Sequence, residues 1–137
     1  MATRLEQTIL KNLITNEEYT RKVLPYIKSD FFQERDEEFL FKQIREYFLK
    51  YKSVPTPEAL IIDIDEKDGV DAQLLSETTN LIQDIKVDKS NTPEEWLIDS
   101  TETWCKDRAV YNGVMSSIEI IQDKEGSKGE IPDILRD

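Results

Sequence analysis

The chain predicts an all-α fold, a compact bundle of about five helices plus one long helix that protrudes from it. Three observations carry this reading. Apolar residues recur at steps of three and four along most of the 137 residues. No clear alternating apolar–polar run longer than about four residues occurs. Ser, Thr, Asp and Pro interrupt the pattern where helices begin.

The elements follow in order. Thr3 with Glu6 offers a capping box for a first helix whose stripe is Leu5, Ile9 and Leu13, flanked by Leu10 and Ile14. Thr15 with Glu18 offers a second box, ahead of Tyr19, Val23 and Ile27. Pro25 falls inside that stripe and shortens or kinks the helix, because its ring removes a donor and clashes with the preceding turn. An Asp30-Phe31-Phe32 elbow follows. A third helix starts near Arg35, with Leu40, Phe41, Ile44, Tyr47, Phe48 and Tyr51 on its apolar side. Thr56 caps a fourth helix with Pro57 in its first turn, where a missing donor costs nothing. After Asp68-Gly69, Asp71 caps a fifth helix carrying Leu74, Thr78, Leu81, Ile82 and Ile85. Residues 1–90 thus read as a helical body, and 91–137 as a long helix and the start of a second arm, within one domain.

Thr92-Pro93-Glu94-Glu95 combines a capping box with an initial proline. From there a helix is expected to run to about Asp123, before a Gly126-Ser127-Lys128-Gly129 turn. Its length is about 46 Å at 1.5 Å per residue, against a diameter of roughly 37 Å for a compact globule of this size. It should therefore project. Leu97, Thr101, Trp104, Arg108, Tyr111, Met115 and Ile118 alternate in steps of four and three, the spacing of a coiled-coil seam. A break at Asn112, before Gly113, is the alternative. Ile131-Pro132-Asp133-Ile134-Leu135 starts a second arm that is too short to cover the seam. Either another subunit covers Trp104, Tyr111 and Met115, or the sequence belongs to a longer protein. The expected interface is Leu97, Trp104, Arg108, Tyr111, Met115, Ile118, Ile134 and Leu135. Arg108 should meet a carboxylate there, since an unpaired charge in a seam is costly.

Composition narrows the function. Net charge is -11. Residues 1–52 carry ten basic and nine acidic side chains, and the remainder carries eight and twenty. So acidic a second half repels phosphate backbones and favours basic protein partners over direct nucleic acid contact. No apolar run is long enough for a membrane span, and no signal-peptide core opens the chain. One cysteine suits a reducing cytoplasm.

The chain has no histidine, so the commonest general base and metal ligand is missing. Cys105 is expected to be a buried structural thiol. Asp63, Asp65 and Asp68 do not make a calcium loop, because Lys67 and Asp68 occupy the positions that need an oxygen ligand and a glycine. Phe31 and Phe32 read as packing residues of the elbow. No catalytic residue, cofactor or metal is expected, and a small enzyme is the weakest reading.

The order of these motifs resembles the N-terminal domain of DnaB-type replicative helicases. In that family a second helix led by Asn or Glu precedes an Asp-Phe-aromatic elbow. An aromatic-faced helix and a small-Pro-Thr/Ile helix start then follow. Asn16 to Ile27, Asp30-Phe31-Phe32, Arg35 to Tyr51 and Val54-Pro55-Thr56 look like these parts. Lys106-Asp107-Arg108-Ala109 and Ile118-Glu119-Ile120-Ile121 are similar to the family's long helix. Gly129 to Arg136 looks closest to helicases of tailed phages. The resemblance implies a non-catalytic collar domain of a hexameric phage helicase. Its helical hairpins would pair between subunits and its surface would dock primase, a helicase loader, or both. A free-standing adaptor resembling the helicase-binding domain of primases is the alternative. The ATP-driven motor of the family is missing, since no Gly-x-x-x-x-Gly-Lys-Ser/Thr phosphate loop occurs.

Overall fold

The computed structural model describes residues 4–130, with side chains to Asp123. Among these residues there are six α-helices and no strand: α1 Leu5–Thr15, α2 Glu17–Val23, α3 Arg35–Tyr51, α4 Pro57–Asp65, α5 Ala72–Val87 and α6 Glu94–Glu130. The fold is all-α. The first five helices and the root of α6 share one core. Ile9, Leu10 and Leu13 of α1 are fully buried in one core cluster with Tyr19, Leu40, Phe41, Ile44, Leu60, Ile64, Ile82 and Leu97.

Local chemistry accounts for most boundaries. Thr56 Oγ1 accepts from the Ala59 amide at 3.1 Å, with Pro57 in the first turn of α4. Asp71 Oδ1 accepts from the Leu74 amide at 2.7 Å and starts α5. α2 stops at Val23, and Leu24–Tyr26 tightens into a 3₁₀ turn around Pro25. A second 3₁₀ turn, Ser29–Phe31, forms the elbow. α3 ends at Tyr51; its cap Lys52 has a left-handed φ of 59°, and the Lys52 amide donates to the Phe48 carbonyl at 2.8 Å.

Four expectations are corrected. The cap of α2 is Asn16, accepting from the Tyr19 amide at 3.1 Å. Thr15 is instead the last residue of α1, and its hydroxyl donates back to the Lys11 carbonyl at 3.0 Å. At α1, Arg4 holds the cap position without a capping side chain, and Glu6 turns to Trp104 rather than to its own helix. At α6 the first carbonyl belongs to Pro93, which accepts from the Leu97 amide at 3.0 Å, so the helix starts one residue later than the Thr92 box implies.

The last correction is length. α6 passes through both Gly113 and the expected 126–129 turn and reaches Glu130, 37 residues in all. Glycine lowers helix propensity by about 1 kcal/mol but forbids no helical geometry, so these glycines weaken the helix without stopping it. At 1.5 Å per residue α6 is about 56 Å long.

Polar ties fix α6 to the body. The Tyr19 and Thr101 hydroxyls lie 2.6 Å apart in the core. Glu94 receives Lys22 Nζ at 3.2 Å. On the approach to α6, the buried Lys11 ammonium donates to the Ser90 carbonyl and lies 3.3 Å from Asp88.

A candidate interaction surface on the long helix

The expected seam divides into three zones. At the root, Leu97, Thr101 and Trp104 are buried in the chain's own core. Trp104 packs against Phe32 at a 55° tilt with centroids 4.9 Å apart and meets Phe31 edge-on at 5.9 Å. Its indole N–H donates to Glu6 at 3.3 Å. Leu97 and Trp104 are therefore core residues, which corrects their expected place in an interface. The heptad spacing runs unbroken through the root, but there the covering surface is the body itself.

The middle zone is a clamp. Arg108 Nε donates to the Phe31 carbonyl at 2.9 Å, and Asn112 Nδ2 donates to the Asp30 carbonyl at 3.1 Å. Arg108 also reaches the Asn112 side chain at 3.3 Å and lies 4.6 Å over the Tyr111 ring. Residues 108 and 112 are one turn apart, so both point at the elbow. The expected carboxylate partner of Arg108 is replaced by a backbone carbonyl and a π face. The 3₁₀ turn leaves carbonyls without helical partners, and a guanidinium satisfies one without burying a second charge.

From Val110 onward one side of the helix is uncovered. Tyr111, Met115 and Ile118 are 48%, 39% and 41% exposed. Val110, Val114 and Ile121 flank them and are exposed by more than half. At 100° per residue these six side chains fall within one broad arc. Sequence reasoning missed Val110, Val114 and Ile121, although their steps of four and seven were a readable signal. Ile134 and Leu135 lie outside the described residues.

Other chemistry is sparse. No group of His, Cys, Asp or Glu suited to a metal ion occurs among the described residues. Cys105 is half-buried, and burial pushes its thiol up to about 11, so it is a thiol and not a nucleophilic thiolate near neutral pH. An open, mostly apolar groove of about 580 Å³ runs between α6 and the end of α2. Val23, Tyr26, Phe31, Ile98, Cys105 and Ala109 give it its apolar lining. No described helix is long and apolar enough to cross a membrane.

Over 142 aligned residues the chain is 29% identical to a protein described as a DnaB-like replicative helicase of Enterobacteria phage T4. This chain is similar to a replicative helicase. The match takes in 95% of the chain, hence both the body and most of α6, but only 29% of the T4 helicase. The chain thus spans less than a third of the length of the relative it matches. No protein-family model matches the chain.

Proposed function

We propose that this chain is the N-terminal, motor-less portion of a DnaB-type replicative helicase, a collar that joins subunits and docks partner proteins. The observation that carries the reading is the arm of α6 beyond Asn112. Six large exposed apolar side chains between Val110 and Ile121, four of them beyond Asn112, share one side of a helix that leaves the body. A bare stripe of this kind on a soluble protein calls for a covering surface. Heptad spacing at Tyr111, Met115 and Ile118 makes another helix the best-matched cover. A neighbouring subunit's arm supplies that helix. Six subunits would close the ring.

The all-helical described residues and the missing phosphate loop support assigning ATP hydrolysis to a part of the helicase outside this sequence. The acidic second half supports a basic face on primase or a helicase loader as the docked partner, with little direct nucleic acid contact. The place of action would be the cytoplasm of the bacterial host.

Light scattering over a concentration series tests the assembly. The chain is expected to associate, and Met115→Lys or Ile118→Lys to leave it monomeric with its helicity unchanged. A chain monomeric at every concentration, or variants that still associate, would refute pairing through this stripe. Capture of the cognate primase by the immobilised chain tests docking, and no capture by either the chain or the full-length helicase removes that part. A monomer that instead captures full-length helicase would favour the free-standing adaptor.

A further inference from the structure

α6 changes character within a few residues. Up to Asn112 one side of it is anchored to the body, through Trp104 on the elbow aromatics and through Arg108 and Asn112 on the elbow carbonyls. From Gly113 to Asp123 every residue is exposed, and the only described hydrogen bond made by a side chain stays within the helix. Rigidity past that point must come from the helix itself.

The helix is weakened there. Gly113 follows the last clamp residue directly. A methyl group placed on it would meet no atom within 4 Å, so neither close approach nor positive φ explains a glycine. Ser116 and Ser117 come next. The Ser117 hydroxyl donates to the Gly113 carbonyl at 3.0 Å and competes with the backbone bond that spans the same turn. A serine bonded back one turn tends to bend a helix, and glycine with serine is a recurrent site of kinks. Three features that each weaken a helix therefore share one turn, at the boundary between its held and free parts.

We infer that Gly113–Ser117 is a hinge in α6, which lets the exposed arm swing relative to the body while the Arg108–Asn112 clamp keeps the root fixed. The hinge would let one sequence present its apolar stripe at more than one angle. That freedom is a property of the single chain and does not depend on what covers the stripe.

Pulsed electron–electron distance measurements on the 137-residue chain test this. Spin labels go on a Cys105→Ala background. One pair is Asp84→Cys with Glu119→Cys, across the proposed hinge, and the control pair is Asp84→Cys with Asp107→Cys, before it. All three labelled positions are exposed. Labelled chains are diluted with unlabelled ones at low concentration, and circular dichroism checks that each variant is folded. The control pair should give one narrow distribution. The pair across the hinge should add a bent population, and Gly113→Ala should shrink that population about fivefold by restoring helix propensity. Ser117→Ala should act in the same direction. A distribution across the hinge as narrow as the control overturns the inference, and so does a bent population that Gly113→Ala leaves unchanged.

Discussion

The Trp104 and Phe32 rings pack at a tilt with centroids 4.9 Å apart, and through this contact the elbow between α2 and α3 seats the root of the long helix. Phe32 packs in turn on Phe41 of α3 at 5.3 Å, so one aromatic chain links α3, the elbow and α6. Trp104→Ala should therefore act as a core deletion, lowering stability by about 3–5 kcal/mol. Met115→Ala, on the free arm, should change it by no more than about 0.5 kcal/mol. Urea unfolding of the two variants decides the matter, and equal small losses would place Trp104 outside the core.

The Tyr19 and Thr101 hydroxyls form a second tie, 2.6 Å apart with both residues buried. Burial pushes the Tyr19 phenol well above its ordinary range, so it stays neutral and can donate. Tyr19→Phe leaves the Thr101 hydroxyl without this partner and should cost about 1–3 kcal/mol. Thr101→Val should cost a similar amount. The double variant should lose less than the two separate losses combined, because the pair is removed as a unit. Additive losses in a denaturant cycle would show that the hydroxyls do not depend on each other.

Glu37 sits in the first turn of α3, buried, with one carboxylate oxygen on Arg4 and the other without a partner. Burial raises its carboxyl from 4.5 to about 7, against the opposing pull of Arg4. A raised carboxyl pKa means that the folded chain holds a proton the unfolded chain has released. Stability from this group is therefore lost as pH climbs from 4.5 to about 7. Glu37→Gln is neutral at every pH and should flatten this slope. Melting temperatures of both proteins across that window give the check, and identical profiles would mean that Glu37 titrates normally.

Cys105 should be slow to react. With its thiol at about 11, its thiolate fraction near neutral pH is about a hundredfold below that of an ordinary cysteine. Alkylation of the folded chain should lag behind the urea-unfolded chain by at least that factor. Matching rates would show that α6 opens readily at this position.

The starts of α4 and α5 are legible because a cap is a contact within three residues. Thr56 and Asp71 carry the needed oxygen beside their own helices. The Thr15 box places the start of α2 one residue early for the same reason. Thr15 and Asn16 both offer an oxygen, and only the length of α1 decides between them. The seam on α6 shows the limit of pattern reading. Steps of three and four continue without a change from Leu97 to Ile118, yet the surface that covers them changes at Arg108. The division is made by the elbow carbonyls of Asp30 and Phe31, nearly eighty residues away in sequence, and no local spacing encodes it. The Glu37–Arg4 pair and the Trp104–Glu6 bond were hidden in the same way.

The exposed stripe is wider than a single seam, and its width makes a further prediction. A simple two-helix contact covers a narrow line of positions, here Tyr111, Met115 and Ile118. Val114 lies to one side of that line and is 52% exposed. If one neighbouring helix were the whole cover, Val114→Lys would stay at the wet edge and association would barely change. If a second helix packs alongside, the same change strips a buried valine, about 1.5–3 kcal/mol, and weakens association tenfold or more. We expect the larger effect, because Val110, Val114 and Ile121 repeat at helical spacing and remain bare. Sedimentation equilibrium of Val114→Lys beside Met115→Lys measures it, and an unchanged dissociation constant for Val114→Lys would leave Met115 on the only covered line.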